Sequence, residues 1–235
     1  MGKIQPRRPK QVPDYAEVCL RALAERGLGD KISLGGALGL AHYFEYRTTH
    51  DVDAWWMPNI TEEERRKVIE AIREALQPFG QVRTRMWGDV VSIELMREGK
   101  AVFGFQIARR SAQLEPPIRV PWLDVLLDSF SDILASKMVA LVERGAPRDF
   151  RDIYSVCQAN LATPRQCWQL WRKRQELAGG DTDAHRARLA VLTHLARIEQ
   201  HRPLSGIQDP NKRAQAERVR AWFKTEFLEA LDETQ

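Results

Sequence analysis

Cysteine is scarce in this chain: 235 residues hold three, Cys19, Cys157 and Cys167. The number is odd and no two stand as Cys-x-x-Cys, which argues against a disulfide framework and against a zinc site of the usual spacing. Cys157 and Cys167 fall in stretches of helical period and read as small core residues. No run reaches 18 apolar residues, so no membrane-spanning helix is expected. The opening Met-Gly-Lys-Ile-Gln-Pro-Arg-Arg-Pro-Lys is basic, but no apolar run follows it, and it does not read as a secretory signal. A reducing cytoplasm is the expected location. Neither a Gly-x-Ser-x-Gly elbow nor a Walker-type phosphate loop occurs, which removes two familiar catalytic devices. There is no internal repeat and no low-complexity tract.

Charge of one sign is also in short supply. The formal net charge is +4, too small to establish a polyanion partner. Its distribution is more informative: residues 165–224 hold 13 Lys/Arg against 6 Asp/Glu, whereas residues 1–130 are balanced at 19 against 18. A nucleic-acid surface therefore belongs to the C-terminal third, unless those charges are simply solvated helix faces.

What is present is an α+β pattern. Residues 1–13 are rich in proline and basic side chains and read as a flexible arm. Helical spacing follows over 15–26, then a short strand at 31–34, the pair Gly35-Gly36, a helix over 37–46 and a strand over 51–57. Thr61 and Glu64 form a capping box that opens a helix ending near Gly80. Strands are expected at 81–87, 90–96 and 101–108, with Arg97-Glu98-Gly99-Lys100 as a hairpin turn, and one more over 120–127. From residue 130 the period is helical, with helices at about 130–144, 148–160, 164–178, 183–201 and 210–232. Thr163-Pro164 is an N-cap with proline in the first helical position. The expected organisation is an arm (1–13), an α/β domain (14–129) with a mixed sheet and flanking helices, and an all-helical part (130–235).

The chemistry concentrates in two places. A Gly-Gly pair between a strand and a helix lets the backbone approach a ligand closely, and the free N–H groups of the following helix suit a phosphate; the same pair also serves as a plain tight turn. Asp51 and Asp53, at i and i+2 of a strand, point to one face. Two such carboxylates repel unless a cation joins them, and magnesium held by carboxylates and substrate phosphates meets that need. A solvated strand end is the alternative. The two features together set a phosphate cradle beside a metal site. Other groups are less telling. His42 and His50 have no zinc spacing. Trp168 and Trp171 are three apart on a helix and read as core. Of Trp55 and Trp56, which face opposite sides of their strand, at most one ring can approach a base.

These residues resemble a known family. Gly35-Gly36-Ala37-Leu38 followed by Arg47-Thr48-x-x-Asp51-Val52-Asp53 is similar to the first motif of AbiEii/AbiGii-type nucleotidyltransferases, within the DNA-polymerase-β-like superfamily. Downstream, Lys137-x-x-Ala140-Leu141 and Arg148-Asp149-x-x-Asp152 resemble the family's second set, and the resemblance spans about residues 30–156. It implies a nucleotidyltransferase-like fold whose helical part contributes to the active site. It also implies that Gly35 and Gly36 bind nucleotide phosphates, that Asp51 and Asp53 bind Mg2+, and that Lys137 serves nucleotide binding or catalysis. Arg47 and Arg148 are candidate phosphate clamps or partners of nearby carboxylates. Asp152 is a candidate to orient Lys137 or act on the acceptor hydroxyl, while Asp149, in a first helical turn, also fits a dipole-complementing role. One departure stands out. The superfamily commonly has a third carboxylate on a neighbouring strand; here Gln106 takes that place, and Glu94 is the candidate substitute as a metal ligand.

The resemblance implies a magnesium-dependent transfer of a nucleoside monophosphate from an NTP to a hydroxyl, on tRNA or other RNA or on a small molecule such as an aminoglycoside. It further implies a toxin of a toxin–antitoxin or phage-defence pair, with a separate antitoxin partner. Gln106 favours a different reading, a catalytically degenerate nucleotide- or protein-binding module. A structural protein with surface carboxylates is the third.

Overall fold

The computed structural model describes residues 4–232, so the first three residues of the basic arm lie outside it. The chain divides into two compact units, Ile4–Ile133 and a second beginning at Leu134. The expected boundary at residue 130 falls slightly early because helix α4 (Phe130–Glu143) runs through the division.

In the N-terminal unit, residues 4–13 are not the loose arm that their prolines suggested. Arg7 N–H donates to His42 O (2.7 Å), and the N–H groups of Lys10 and Gln11 donate to the Glu45 carboxylate (2.9 and 2.8 Å). Arg8 pairs with Glu17 (2.9 Å) and lies over the Trp122 ring. Proline supplies no N–H, so few backbone donors in this segment need partners, and a strap held by a handful of bonds results.

Helices α1 (Asp14–Glu25) and α3 (Glu62–Leu76) are amphipathic. Cys19, Leu20 and Leu23 of the first and Val68, Ala71, Ile72 and Leu76 of the second are buried, at the spacing that makes one apolar stripe. The two pack on each other, and α3 packs on the sheet. Both halves of the Thr61/Glu64 capping box are present.

The sheet has seven strands: β1 (Ile32–Leu34), β2 (Val52–Trp56), β3 (Gln81–Trp87), β4 (Val90–Arg97), β5 (Lys100–Ala108), β6 (Ile118–Arg119) and β7 (Leu126–Leu127). Their order is β3-β4-β5-β2-β1-β7-β6. β1 runs antiparallel to β2 and parallel to β7, and β2 runs parallel to β5. Val52 and Ala54 of β2 stand in register with Phe105 and Ile107 of β5, Trp56 of β2 stands opposite Ile32 of β1, and all are buried, so one face of the sheet is core. Glu98 and Gly99, both with positive φ, make the two-residue turn between β4 and β5, as the right-handed strand twist prefers.

Two expectations need correction here. Of the strand expected over 120–127 only Leu126–Leu127 is one, β7; it pairs with β6, which lies ahead of the expected span, because Pro121 has no N–H to give a ladder and the chain turns through Trp122. The helix after the glycines, α2, covers only Gly36–Ala41. It stops where His42 and Tyr43 are tied elsewhere: the Tyr43 hydroxyl donates to Asp128 O (2.8 Å).

His42 is buried with a defined tautomer. Nδ1 is 2.9 Å from Leu38 O, and Nε2 accepts from Trp122 Nε1 (3.2 Å). The bonds fit a neutral ring with its proton on Nδ1, and burial holds the pKa below the usual histidine value. The unfolded chain therefore binds the extra proton first. This contribution to stability is complete above about pH 6.5 and is lost as pH falls, with a slope of at most about 1.4 kcal/mol per pH unit. Urea unfolding between pH 5 and 7.5 is expected to show a flatter pH dependence for His42→Gln than for the native chain; parallel curves would refute the assignment.

The C-terminal unit is helical: the remainder of α4, then α5 (Pro147–Gln158), α6 (Pro164–Ala178), α7 (Ala184–His201) and α8 (Pro210–Trp222). Thr163 caps α6 as expected. Trp168 and Trp171 are 1% and 2% exposed, an edge-to-face core pair. Cys157 and Cys167 are buried, their sulfurs 3.7 Å apart as free thiols. The last expected helix is interrupted: after α8 the backbone widens into a π-turn over Phe223–Phe227, with Leu228 N–H donating to Phe223 O (3.2 Å), before α9 (Glu229–Asp232). The wider turn lets Trp222, Phe223 and Phe227 all face the core, where their ring centroids lie 4.7–5.3 Å apart.

Candidate active site

The Gly35-Gly36 turn lies against β2. Gly35 N–H donates to Asp53 O (2.9 Å), continuing the β1–β2 ladder past the end of β1. Gly36 has φ +57°, a left-handed conformation that costs other residues about 1–2 kcal/mol. A Cβ at Gly36 would also run into the Asp53 carboxylate, and one at Gly35 would meet the Trp55 indole. Glycine is thus required twice over at Gly36, by dihedral and by space. Gly36→Ala is expected to destabilise the N-terminal unit by at least the dihedral cost, about 1–2 kcal/mol, and to displace Asp53; chemical denaturation measures the first.

Asp51, Asp53 and Trp55 point away from the core, on the open face of the sheet. Asp51 and Asp53 are exposed and Trp55 is half-buried. The Asp51 carboxylate accepts from Gly104 N–H (2.9 Å), and a side chain at Gly104 would crowd it. No hydrogen bond or ion pair reaches the Asp53 carboxylate from the described residues. On β5, Gln106 stands directly in register with Asp53, the position where a third carboxylate was sought. Among the described residues no cluster of three His, Cys, Asp or Glu stands together. Two carboxylates beside a bare backbone turn fit magnesium: that ion keeps several waters and shares one or two protein carboxylates with substrate phosphates.

Glu94 takes a different place from the one its candidacy needed. It lies on β4, with β5 between it and β2, and its carboxylate is gripped by Arg83 and Arg85 (both 2.8 Å). These guanidiniums pull its pKa down against the effect of burial. Arg47 lies over the Tyr46 ring in the loop after α2, donating to the Tyr46 hydroxyl (3.0 Å) and Thr48 O (3.2 Å). In the helical unit, Lys137 on α4 and Asp152 on α5 form a buried ion pair at 2.6 Å. Asp149 is held by both Arg144 nitrogens (2.8 Å each) and accepts from Ala146 N–H (3.0 Å), the helix-terminal role. Arg148 is exposed in the first turn of α5.

A group that sequence reasoning passed over adjoins the glycine turn. Ser33 Oγ donates to Asp128 Oδ1 (2.8 Å), and Arg110 Nη2 donates to both. The Arg110 guanidinium also lies 5.9 Å from the Trp55 ring. Burial pushes the Asp128 carboxyl up, with the arginine opposing it. Arg110 lines a cavity of about 460 Å³ with Arg65, Arg109, Trp56 and Gln113, beyond the carboxyl ends of the parallel strands β2 and β5. The signal for this group was faint: Arg109-Arg110 and Asp128 are charges placed just after apolar strands, a pattern with no motif attached.

Comparison with known proteins bears on this geometry. Residues 18–225 match the family described as "Nucleotidyl transferase AbiEii toxin, Type IV TA system". A crystal structure of a candidate nucleotidyltransferase from H. pylori superposes with a TM-score of 0.50 and 14% identity, covering 94% of this chain and 95% of that one. An antigenic nucleotidyltransferase-like protein from Paracoccidioides brasiliensis gives a TM-score of 0.40 at 14% identity, over 87% and 92% of the two chains. No curated protein matches the sequence. The H. pylori likeness speaks to fold alone, and the family match covers most of the sequence. With the glycine turn and the Asp51/Asp53 strand both inside the matched region, the chain belongs to the AbiEii family of nucleotidyltransferase toxins.

Proposed function

We propose that the chain moves a nucleoside monophosphate from an NTP to a hydroxyl of an RNA acceptor such as tRNA, as the toxin of a toxin–antitoxin or phage-defence pair with a separately made antitoxin. The observation that carries this reading is the placement of the exposed Asp53 carboxylate, with no partner among the described residues, against the left-handed Gly36. A new bond from the acceptor oxygen to the α-phosphorus replaces the bond to the β-phosphate, and pyrophosphate leaves. Asp51 and Asp53 would hold Mg2+, which when bound would supply charge neutralisation at the α-phosphate. The glycine turn lets phosphate oxygens approach the backbone without a side chain between them. Gly104 N–H orients Asp51. Most of the rate then comes from positioning and electrostatics.

A second reading, a module that binds nucleotide without turnover, is favoured by one observation, the neutral Gln106 beside Asp53. The two separate cleanly. Purified protein is incubated with magnesium and each α-labelled NTP in turn, with and without total RNA, beside the Asp51→Asn/Asp53→Asn variant. Label in RNA that the variant loses identifies both nucleotide and acceptor class. NTP binding without transfer to RNA or to the protein favours the second reading. Neither binding nor transfer refutes both.

A further inference from the structure

The C-terminal unit contains a cavity of about 420 Å³ bounded by α5, α7 and α8, within the size range of small-molecule sites. Its floor is apolar: Phe150, Leu195 and Val219 are buried there, with Ala216 half-buried. Its rim holds four cations, Arg151, Arg202, Lys212 and Arg220, and no carboxylate lines it. Arg151 and Arg202 have no ion-pair partner among the described residues. Lys212 is only 3.8 Å from Asp209. Arg220 is 9% exposed, and among the described residues its guanidinium donates to Arg202 O (2.6 Å).

A nearly buried guanidinium without a carboxylate is costly unless an anion neutralises it. Four like charges around one apolar hollow repel each other and focus a positive potential into it. Gln215 is the one neutral hydrogen-bonding side chain in the lining, so the apolar part of a ligand is met by surface rather than by directional bonds. We propose that this cavity binds a small amphipathic anion, one phosphate or carboxylate head on an apolar or aromatic body, as a site separate from nucleotidyl transfer.

The site has a route to act. Pro147, Phe150 and Arg151 line it from one face of α5. At 100° per residue Asp149 and Asp152 project from the opposite face, where Asp152 holds Lys137. A ligand in the cavity therefore bears on the helix that carries this ion pair.

The test is a binding titration on the full chain with anilinonaphthalene sulfonate, an aromatic anion whose fluorescence reports its surroundings. One saturable site is expected, weakened at least tenfold in Arg202→Glu/Lys212→Glu and abolished in Ala216→Trp, which fills the hollow. The thermal midpoint of either variant shows whether it folds, and one folded variant suffices. Competition by dodecanoate or by a nucleoside monophosphate tells an acyl anion from a nucleotide as the source. Unsaturable binding to the native chain, unchanged affinity in a folded variant, or displacement by inorganic phosphate as readily as by either organic anion overturns the proposal. None of these readouts depends on transferase activity.

Discussion

Asp53→Asn is expected to lower nucleotidyl transfer by about a thousandfold while leaving stability within about 0.5 kcal/mol of the native chain. Removing one preorganised electrostatic group from a transfer site typically costs two to three orders of magnitude in rate, and here the group lost is also half of the proposed magnesium-binding pair. The fold has little stake in it, because Asp53 is exposed and its carboxylate takes no hydrogen bond from the described residues, and such surface changes are usually small. Removing one of two adjacent like charges relieves repulsion, so a slight gain in stability is the expected sign. Asp51→Asn differs in one respect: it also weakens the bond from Gly104 N–H, so its loss of activity comes with a small destabilisation. Rates of transfer and urea melts on the same preparations check both statements. A transfer rate for Asp53→Asn within tenfold of the native rate would falsify the metal assignment.

Lys137→Met is expected to destabilise the helical unit by up to about 3–5 kcal/mol, the cost of breaking a buried ion pair by removing one of its members. Asp152 is 0% exposed and Lys137 is 8% exposed, with 2.6 Å between Nζ and Oδ2, so little water is available to replace the lost ion pair. Asp152→Asn leaves the converse defect, an ammonium without its carboxylate. The double variant Lys137→Met/Asp152→Asn is expected to be markedly more stable than the sum of the two single losses predicts, and the coupling energy from the four proteins measures the pair. Transfer assays on the same proteins ask a separate question. If the pair only holds helices together, the stabilised double variant keeps its rate; if either Lys137 or Asp152 serves the reaction, the rate stays low although stability returns.

The elements whose sequence had its own local signal were legible. The β3–β4–β5 strands alternate strictly, α3 and α6 carry capping boxes, and the glycine pair and the aspartates fall where the period changes; each of these lies close to its expected place. Elements that depend on distant partners were not. The strand expected over 120–127 is kept only at Leu126–Leu127, because the chain turns after Pro121 so that β7 can pair with both β6 and the distant β1. The terminal helix widened at Phe223 because three aromatic rings compete for one core. The strap over residues 4–13 is held by His42 and Glu45, which nothing in its own composition foretells. The same division holds for the site. Gly36 and Asp53 are near in sequence and form a recognisable motif. Glu94 looked equivalent to a missing acid, but the arginines beside it on β3 are what occupy it. Arg110 and Asp128 meet across a long stretch of chain and leave no local trace.

The sheet order also bears on synthesis. The glycine turn ends β1, and β1 has two neighbours: β2, close behind it, and β7, at Leu126–Leu127. The strand carrying Asp53 leans in turn on β5, at Lys100–Ala108. Pairings of such sequence separation form late, since the loop they close must first be ordered. On a ribosome the motif at residues 35–53 is complete as text early but lacks both flanking strands until residue 127 has emerged. A nascent or truncated chain that stops before β7 is left with an open edge on β1, so the frame around the motif is complete only once the whole N-terminal unit has been made.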